Sequence, residues 1–236
     1  MSSSRTRVLA ALLAAVVLVA PLSGCGAKKK PESVAQQASA LVKKLTDAIA
    51  LKQSARIDLE LGSSLSATAD VRYAGNDTSM DIKMVTGPQT VNVVLVKDAM
   101  YLQQTKGSKY LKIDKSDPAL GSLLGQLGSF GPKSAVQSLE PGITKIQDKG
   151  KETIDGTQLE HYALTVDTKK ATSIFGVPQG SAKTPATVLY DVWIDSDNLL
   201  RQLKTTVSGQ TLMMKLSDWG KPVTITVPPA SQVMTR

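Results

Sequence analysis

From Val34 the apolar positions recur at steps of three and four, through Ala38, Leu41, Val42, Leu45 and Ile49, while Lys43, Lys44, Asp47 and Lys52 fall between them. That period, opened by Ser33 and Gln36 at capping-box spacing, predicts an amphipathic helix reaching about Lys52. Its apolar stripe needs a partner surface, and from Ser54 the chain supplies one. The period switches to two: Ile57, Leu59 and Leu61 alternate with Asp58 and Glu60, and Ile82 and Met84 alternate with Asp81 and Lys83. Such strands have one dry and one wet face. Gly75-Asn76-Asp77 reads as a hairpin turn between the second and third of them. Gln89 to Lys97 is more continuously apolar and suggests a central strand, followed closely by strands at Ala99 to Gln103 and Tyr110 to Asp114. Connections this short imply an antiparallel meander.

The pattern then breaks. Asp117-Pro118 is a helix start, with the carboxylate as N-cap and proline in the first turn. The stripe Leu120, Leu123, Leu124 and Leu127 follows, interleaved with Gly121, Gly125 and Gly128, each glycine costing about 1 kcal/mol of helix stability relative to alanine. A helix so loosened, ending at Phe130-Gly131-Pro132, reads either as a flap over an apolar interior or as a poor helix that simply packs. Ser134 to Leu139 adds a further turn or two. Strands resume at Ile143 to Lys149, Lys151 to Ile154, Gln158 to Val166, Thr187 to Asp195, Leu199 to Val207, Thr211 to Asp218 and Val223 to Val227, with turns at Asp155-Gly156, Asp197-Asn198 and Ser208-Gly209. A short helix at Lys169 to Phe175 and a Gly, Pro, Ser and Lys-rich loop at Gly176 to Thr184 interrupt them.

The expected fold class is α+β, with about eleven strands in one antiparallel sheet and three or four helices. A sheet of that width curls under its own twist. Its concave apolar face is what the amphipathic helices are able to cover. Periodicity leaves open whether the space between is filled or hollow.

The N-terminus changes the picture from a globular domain to an exported, anchored one. Arg5 and Arg7 precede the apolar run Val8 to Ala20, which is too short for the roughly 20 residues of a transmembrane helix and suits a signal peptide. Leu22-Ser23-Gly24-Cys25 then has the form of a bacterial lipoprotein cleavage site, with Cys25 as the acylated mature N-terminus. A secretory signal cut elsewhere, with Cys25 left as a free thiol, is the competing reading. One acyl chain gives marginal membrane binding, whereas two or three, at about 0.8 kcal/mol per buried CH₂, hold durably. The expected organisation is a signal peptide at 1–24, the lipidated cysteine and tether at 25–32, one domain at 33–230 and a tail at 231–236. Lys28, Lys29 and Lys30 in the tether either add attraction to anionic headgroups or are a solvated linker.

Of 28 basic and 20 acidic side chains, cleavage after Gly24 removes Arg5 and Arg7, leaving 26 against 20, or +6. That charge is diffuse, and aromatic residues make up only 4% of the chain, so neither feature of a nucleic-acid reader is present. Cys25 is the only cysteine, which leaves no disulfide and no cysteine-based metal site. His161 is the only histidine and sits on a strand whose other face carries Tyr162, Leu164 and Val166, the setting of a half-exposed structural residue. A hydrolase centred on it would need triad or metal partners that the sequence does not place nearby. Asp191, Asp195, Asp197 and Asp218 could be drawn as a carboxylate cluster, although alternate acids on strands usually form a solvated face. No nucleotide-binding, zinc-protease or serine-hydrolase motif occurs. The expectation is a non-enzyme without cofactor or metal.

Taken together, the lipobox cysteine, the Ala-Leu-Val-Lys-Lys-Leu run, the broken strand pattern, and the stretches Tyr190-Asp191-Val192-Trp193-Ile194-Asp195, Leu200-Arg201 and Ser217-Asp218-Trp219-Gly220-Lys221-Pro222-Val223 resemble the actinobacterial LppX/LprG-type lipoproteins, within the LolA/LolB-like class. The resemblance covers roughly Val34 to Pro229. It implies a half-open antiparallel barrel with helices on its concave side, enclosing an apolar cavity for the acyl chains of a lipid or glycolipid. It also implies a non-enzymatic role at the extracytoplasmic face of the cell membrane, carrying lipid toward the cell envelope, often in concert with a membrane exporter. Cys25 matches the family's lipidated cysteine. Side-chain alternation nominates the cavity lining: Ile57, Leu59, Leu61, Ile82, Met84, Val93 and Leu95 from the first strands, Leu203, Met214 and Leu216 from the last, and Leu123, Leu124, Leu127 and Phe130 from the glycine-rich helix. For each of these, ordinary core is the alternative. For the whole chain, the alternative is an anchored interaction or sensor module with a solid core.

Overall fold

Strand pairing follows the hairpin logic of the sequence in two runs that meet at a seam. In the computed structural model, which describes residues 32–74, 77–114, 116–118, 132–171 and 185–234, the first run is β1 (Ser54–Leu61), β2 (Leu65–Ala74), β3 (Asp77–Thr86), β4 (Gln89–Val96), β5 (Ala99–Gln103) and β6 (Tyr110–Asp114). The second is β7 (Ile143–Ile154), β8 (Thr157–Asp167), β9 (Thr187–Ile194), β10 (Leu200–Val207) and β11 (Gln210–Ser217). A two-residue β12 (Val233–Met234) completes a twelve-stranded sheet of order β12-β6-β5-β4-β3-β2-β1-β11-β10-β9-β8-β7. Every neighbouring pair is antiparallel except β12 with β6. The seam is β1 against β11, with Ile57 opposite Leu216 and Leu59 opposite Met214. The sheet curls without closing, as its width requires.

Tight turns fix the registers. Asp155-Gly156 (φ 48° and 78°) and Ser208-Gly209 (φ 50° and 77°) are left-handed at both positions, the geometry of two-residue hairpins whose twist matches the flanking strands. β7 runs unbroken where the sequence suggests two strands: Gly150, at φ 86°, takes up a bulge between Asp148 and Gly150 opposite β8, and pairing continues on both sides of it. As the edge strand, β7 also carries Lys145, Lys149 and Lys151, charges that discourage pairing with another chain.

Helix α1 (Val34–Ala50) starts as its capping box predicts: the Ser33 hydroxyl accepts from the Gln36 amide, and the Gln36 side chain accepts from the Ser33 amide at 2.9 Å. Ala38, Leu41, Val42, Leu45 and Ile49 are buried, while Val34, in the first turn, stays exposed. Lys44 reaches across to Glu160 on β8 at 3.1 Å. Helix α2 (Pro132–Leu139) buries Pro132, Ala135, Val136 and Leu139, packs against α1, and ends in a 3-10 turn at Glu140–Gly142. The described residues all lie in one compact unit, Glu32–Arg236.

One expected strand is absent. Val223 to Val227 has no ladder partner, because both edges of the neighbouring β1 are already taken by β2 and β11 and Pro222, Pro228 and Pro229 lack the amide protons that pairing needs. The segment instead crosses the sheet's polar side as a strap. It is held at one end by the Gly220 amide on the Ser54 carbonyl (2.9 Å) and by the Ser54 hydroxyl on the Lys221 carbonyl. At the other end β12 pairs in parallel with β6, Val233 beside Tyr110. Asp117 and Pro118 are described, but the rest of the glycine-rich helix, most of the Lys169 to Phe175 helix and the Gly176 to Thr184 loop lie outside the described residues.

Candidate functional site

Alternation across these registers gathers the odd positions of β1 and their partners on one face. One row runs Leu203, Met214, Leu59, Ala67, Met84, Val91 from β10 to β4. The next runs Leu216, Ile57, Ala69, Ile82, Val93, Leu102 from β11 to β5. The inner face is therefore apolar without a break across the seam.

It is covered unevenly. Over β8 to β11 the stripes of α1 and α2 join Leu164, Val166, Val188, Val192, Leu203, Met214 and Leu216 in one buried cluster. Over β1 to β6 the described residues of a second cluster, Val71, Met80, Val93, Leu95 and Met100, all come from strands, and Ile57, Ala69, Ile82, Met84, Val91 and Leu102 around it are only partly buried. The nominated residues divide accordingly. Leu203 (1% exposed), Met214 and Leu216 sit under the helices, Val93 and Leu95 are buried within the strand cluster, and Ile57, Leu59, Leu61, Ile82 and Met84 keep accessible apolar surface. Cys25, Leu123, Leu124, Leu127 and Phe130 lie outside the described residues.

Two phenols on this inner face were not singled out by the sequence. Tyr190 on β9 belongs to the helix-covered cluster and Tyr73 on β2 packs against the other. Both hydroxyls are buried without a hydrogen-bond partner, and burial pushes both well above the ordinary tyrosine range. Tyr162 differs. Its hydroxyl donates to Glu160 at 3.1 Å, and burial together with that bond pushes it up to about 12. Glu160 is in turn held below the usual carboxylate range, first by the Lys44 hydrogen bond.

The outer face is polar, and several of its charged groups pair with one another. His161 stacks on Trp193 with ring centroids 4.4 Å apart. Its Nε2 lies 2.9 Å from Asp191 and its Nδ1 3.4 Å from Glu152, which also accepts from the Trp193 indole at 2.8 Å. Both ring nitrogens face carboxylates, so the ring is fixed as a structural element and neither nitrogen is turned to a nucleophile. The four aspartates drawn as a cluster are spread out. Asp195 accepts from the Asp197 and Leu199 amides in its own turn, Asp218 pairs with Lys221 at 2.6 Å, and Asp191 holds His161. Among the described residues no group of three or more His, Cys, Asp or Glu could hold a metal, and no helix is long and apolar enough to cross a membrane.

Between the strap and the sheet is a cavity of about 690 Å³, lined by Arg56, Asp70, Asp81, Lys83 and Asn92 and by Thr226 to Pro229 of the strap. Arg56 pairs with Asp70 at 3.1 Å. Asp81, directly opposite Asp70, is raised above the usual carboxylate range by burial and then by the Asp70 charge. A second cavity, of about 500 Å³, lies at the β6–β12 edge and includes Lys112, Asp114 and Met234. Neither is lined by residues of the apolar rows.

A single curled sheet with one polar face and one apolar face, partly roofed by helices, defines an unclosed half-barrel. The chain belongs to the LppX_LprAFG lipoprotein family, whose profile matches residues 30–225. It is 24% identical over 246 residues to the lipoarabinomannan carrier protein LprG of Mycobacteroides abscessus, covering 95% of this chain and 99% of that one. Its fold is similar to that of LprF from Mycobacterium bovis (TM-score 0.59, 17% identity, 81% of this chain and 97% of that one). It is also similar to that of lipoprotein LppX from Mycobacterium tuberculosis (TM-score 0.56, 18% identity, 80% and 98%).

Proposed function

We propose that the protein binds acylated lipids or glycolipids on the inner face of its sheet and, anchored through an acylated Cys25 at the extracytoplasmic side of the cell membrane, carries them toward the cell envelope. One observation above all supports this: the apolar inner face keeps accessible surface at Ile57, Leu59, Leu61, Ile82 and Met84, on a sheet whose other face is polar. Family membership and the carrier named among its relatives point the same way. The mechanism needs no bond chemistry. Each acyl methylene moved from water to an apolar surface contributes about 0.8 kcal/mol, so ten of them supply about 8 kcal/mol, while the headgroup stays where water reaches it.

The test is native mass spectrometry with lipid extraction on the chain from residue 26 onward, which contains the whole compact unit, purified from its own host. Co-purifying acyl lipid, and uptake from vesicles by the delipidated protein, are expected. A protein that carries no lipid and takes none up is an interaction module, and the reading fails. For the anchor, Cys25→Ala should move the protein out of the membrane fraction; retention there removes Cys25 from the scheme.

A further inference from the structure

Burial of the inner face is graded along the strands. Over β1 to β6 the row Val71, Met80, Leu95, Met100 is buried. The row Leu59, Ala67, Met84, Val91 is only partly so, and Leu61 and Leu65, paired beside the β1–β2 turn, are partly exposed as well. Among the described residues the face is thus closed toward one rim and open toward the other. The open rim is made by the connections 62–64, 87–88, 104–109, 140–142 and 208–209 and by residues 168–171 after β8. Helix α1 ends at the closed rim, where Ala48 and Ile49 pack with Leu199 and Trp219, so its contact with the 140–142 turn belongs to its N-terminal part. The tether therefore leaves the domain at the open rim, and the seven residues from Cys25 to Glu32 reach at most about 25 Å.

The two rims also differ in charge. At the open rim Lys106, Lys109, Lys169 and Lys170 are all exposed, against Glu32, Glu140 and Asp167, the last of them 3.9 Å from Lys170. Lys28, Lys29 and Lys30 precede them along the tether. At the closed rim Asp98, Asp117, Asp155, Asp195, Asp197 and Asp218 stand against Lys52, Lys97 and Lys221.

Building on the anchored-carrier reading, we propose that the open rim is a docking surface for an anionic bilayer: the lysines of the 104–109 and 168–171 segments sit among the headgroups and hold the mouth of the apolar face on the membrane. Charge sets the orientation, because anionic headgroups attract one rim and repel the other. Hydrocarbon then passes from bilayer to sheet without crossing bulk water, the step that would cost most.

The chain from residue 26 onward has no cysteine, so single labels report position. An environment-sensitive fluorophore on Ser63→Cys, in the β1–β2 turn, should shift to the blue with phosphatidylcholine vesicles that contain phosphatidylglycerol; on Asp98→Cys, in the β4–β5 turn, it should not. Lys106 and Lys109 are exposed loop residues, so their replacement leaves the core intact. Lys106→Gln with Lys109→Gln should weaken binding to these vesicles about 25-fold at low salt, at about fivefold per lysine near the surface. Lys52→Gln with Lys221→Gln, at the closed rim, should leave binding as it was, and the tether lysines are common to every variant. Equal shifts at both labels, closed-rim lysines that matter as much as open-rim ones, or wild type that does not prefer anionic vesicles overturns the docking surface. Lipid carriage is read separately by mass spectrometry, so a protein that docks by this rim but carries no lipid loses the carrier reading alone.

Discussion

Leu203→Ala and Ile82→Ala separate the two halves of the apolar face. Leu203 is 1% exposed beneath α1 and α2, and truncating such a buried leucine costs about 2–5 kcal/mol because a cavity is added to the lost transfer energy. In a chain of this size 1 kcal/mol corresponds to about 2–4 °C, so the melting temperature should fall by roughly 4–20 °C. Ile82 lies in the next row, partly exposed over strands that no described helix covers. Its truncation should cost about 1 kcal/mol of stability, because less of it leaves water on folding. The same truncation removes contact with a bound acyl chain and should weaken lipid binding about fivefold. Thermal unfolding of the delipidated proteins, paired with titration of a diester phospholipid, reads both effects. If Ile82→Ala melts as low as Leu203→Ala and binds lipid as wild type does, the face over β1 to β6 is core and the division drawn here is wrong.

Two further outcomes follow from packing and charge. A Cβ at Gly142 would come within 2.7 Å of the Asp167 carbonyl oxygen and 2.8 Å of a Val166 methyl, so Gly142→Ala should lose about 1–3 kcal/mol to overpacking, seen as a lower denaturant midpoint; an unchanged midpoint would mean that the turn after α2 yields freely. Glu160, held low by Lys44, lends stability that is complete above the unfolded glutamate value of about 4.3 and is lost as pH falls through its lower folded value. Glu160→Gln should therefore flatten the fall in melting temperature below that pH, by well under 1 kcal/mol because the pair is more than a third exposed, and a slope identical to wild type would deny the pair any role.

Local physics made much of this molecule legible in its sequence. The capping box at Ser33, the stripe of α1 and the alternation of β1 to β6 each depend on residues a few positions apart, and each stands where the period places it. The LppX/LprG-type resemblance, carried by Cys25 and the run from Tyr190 to Val223, is met by the family match over 30–225. What local pattern could not carry is partnership at a distance. β1 and β11 meet across about 150 residues, and nothing in either strand names the other. The same limit explains the strap: Val223 to Val227 alternates like a strand, but β1, to whose start the strap is tied, is already paired on both edges. It also explains the lining, since Leu203 and Ile82 have the same period and differ in whether a described helix lies above them. Tyr73 and Tyr190, among alternating apolar residues, look in sequence like any other core aromatics; what sets them apart, hydroxyls without a hydrogen-bond partner, depends on the packed neighbours.

The strap acts on the sheet as a string does on a bow. From Lys221 to Val233 it can span at most about 40 Å, while β1 and β6 sit five strand spacings, about 24 Å, apart. The limb β1 to β6, whose inner side no described helix braces, is thus laced back to the seam along its outer side. How far it can splay from the seam is limited by the length of the cord, and the two rungs of β12 are the knot.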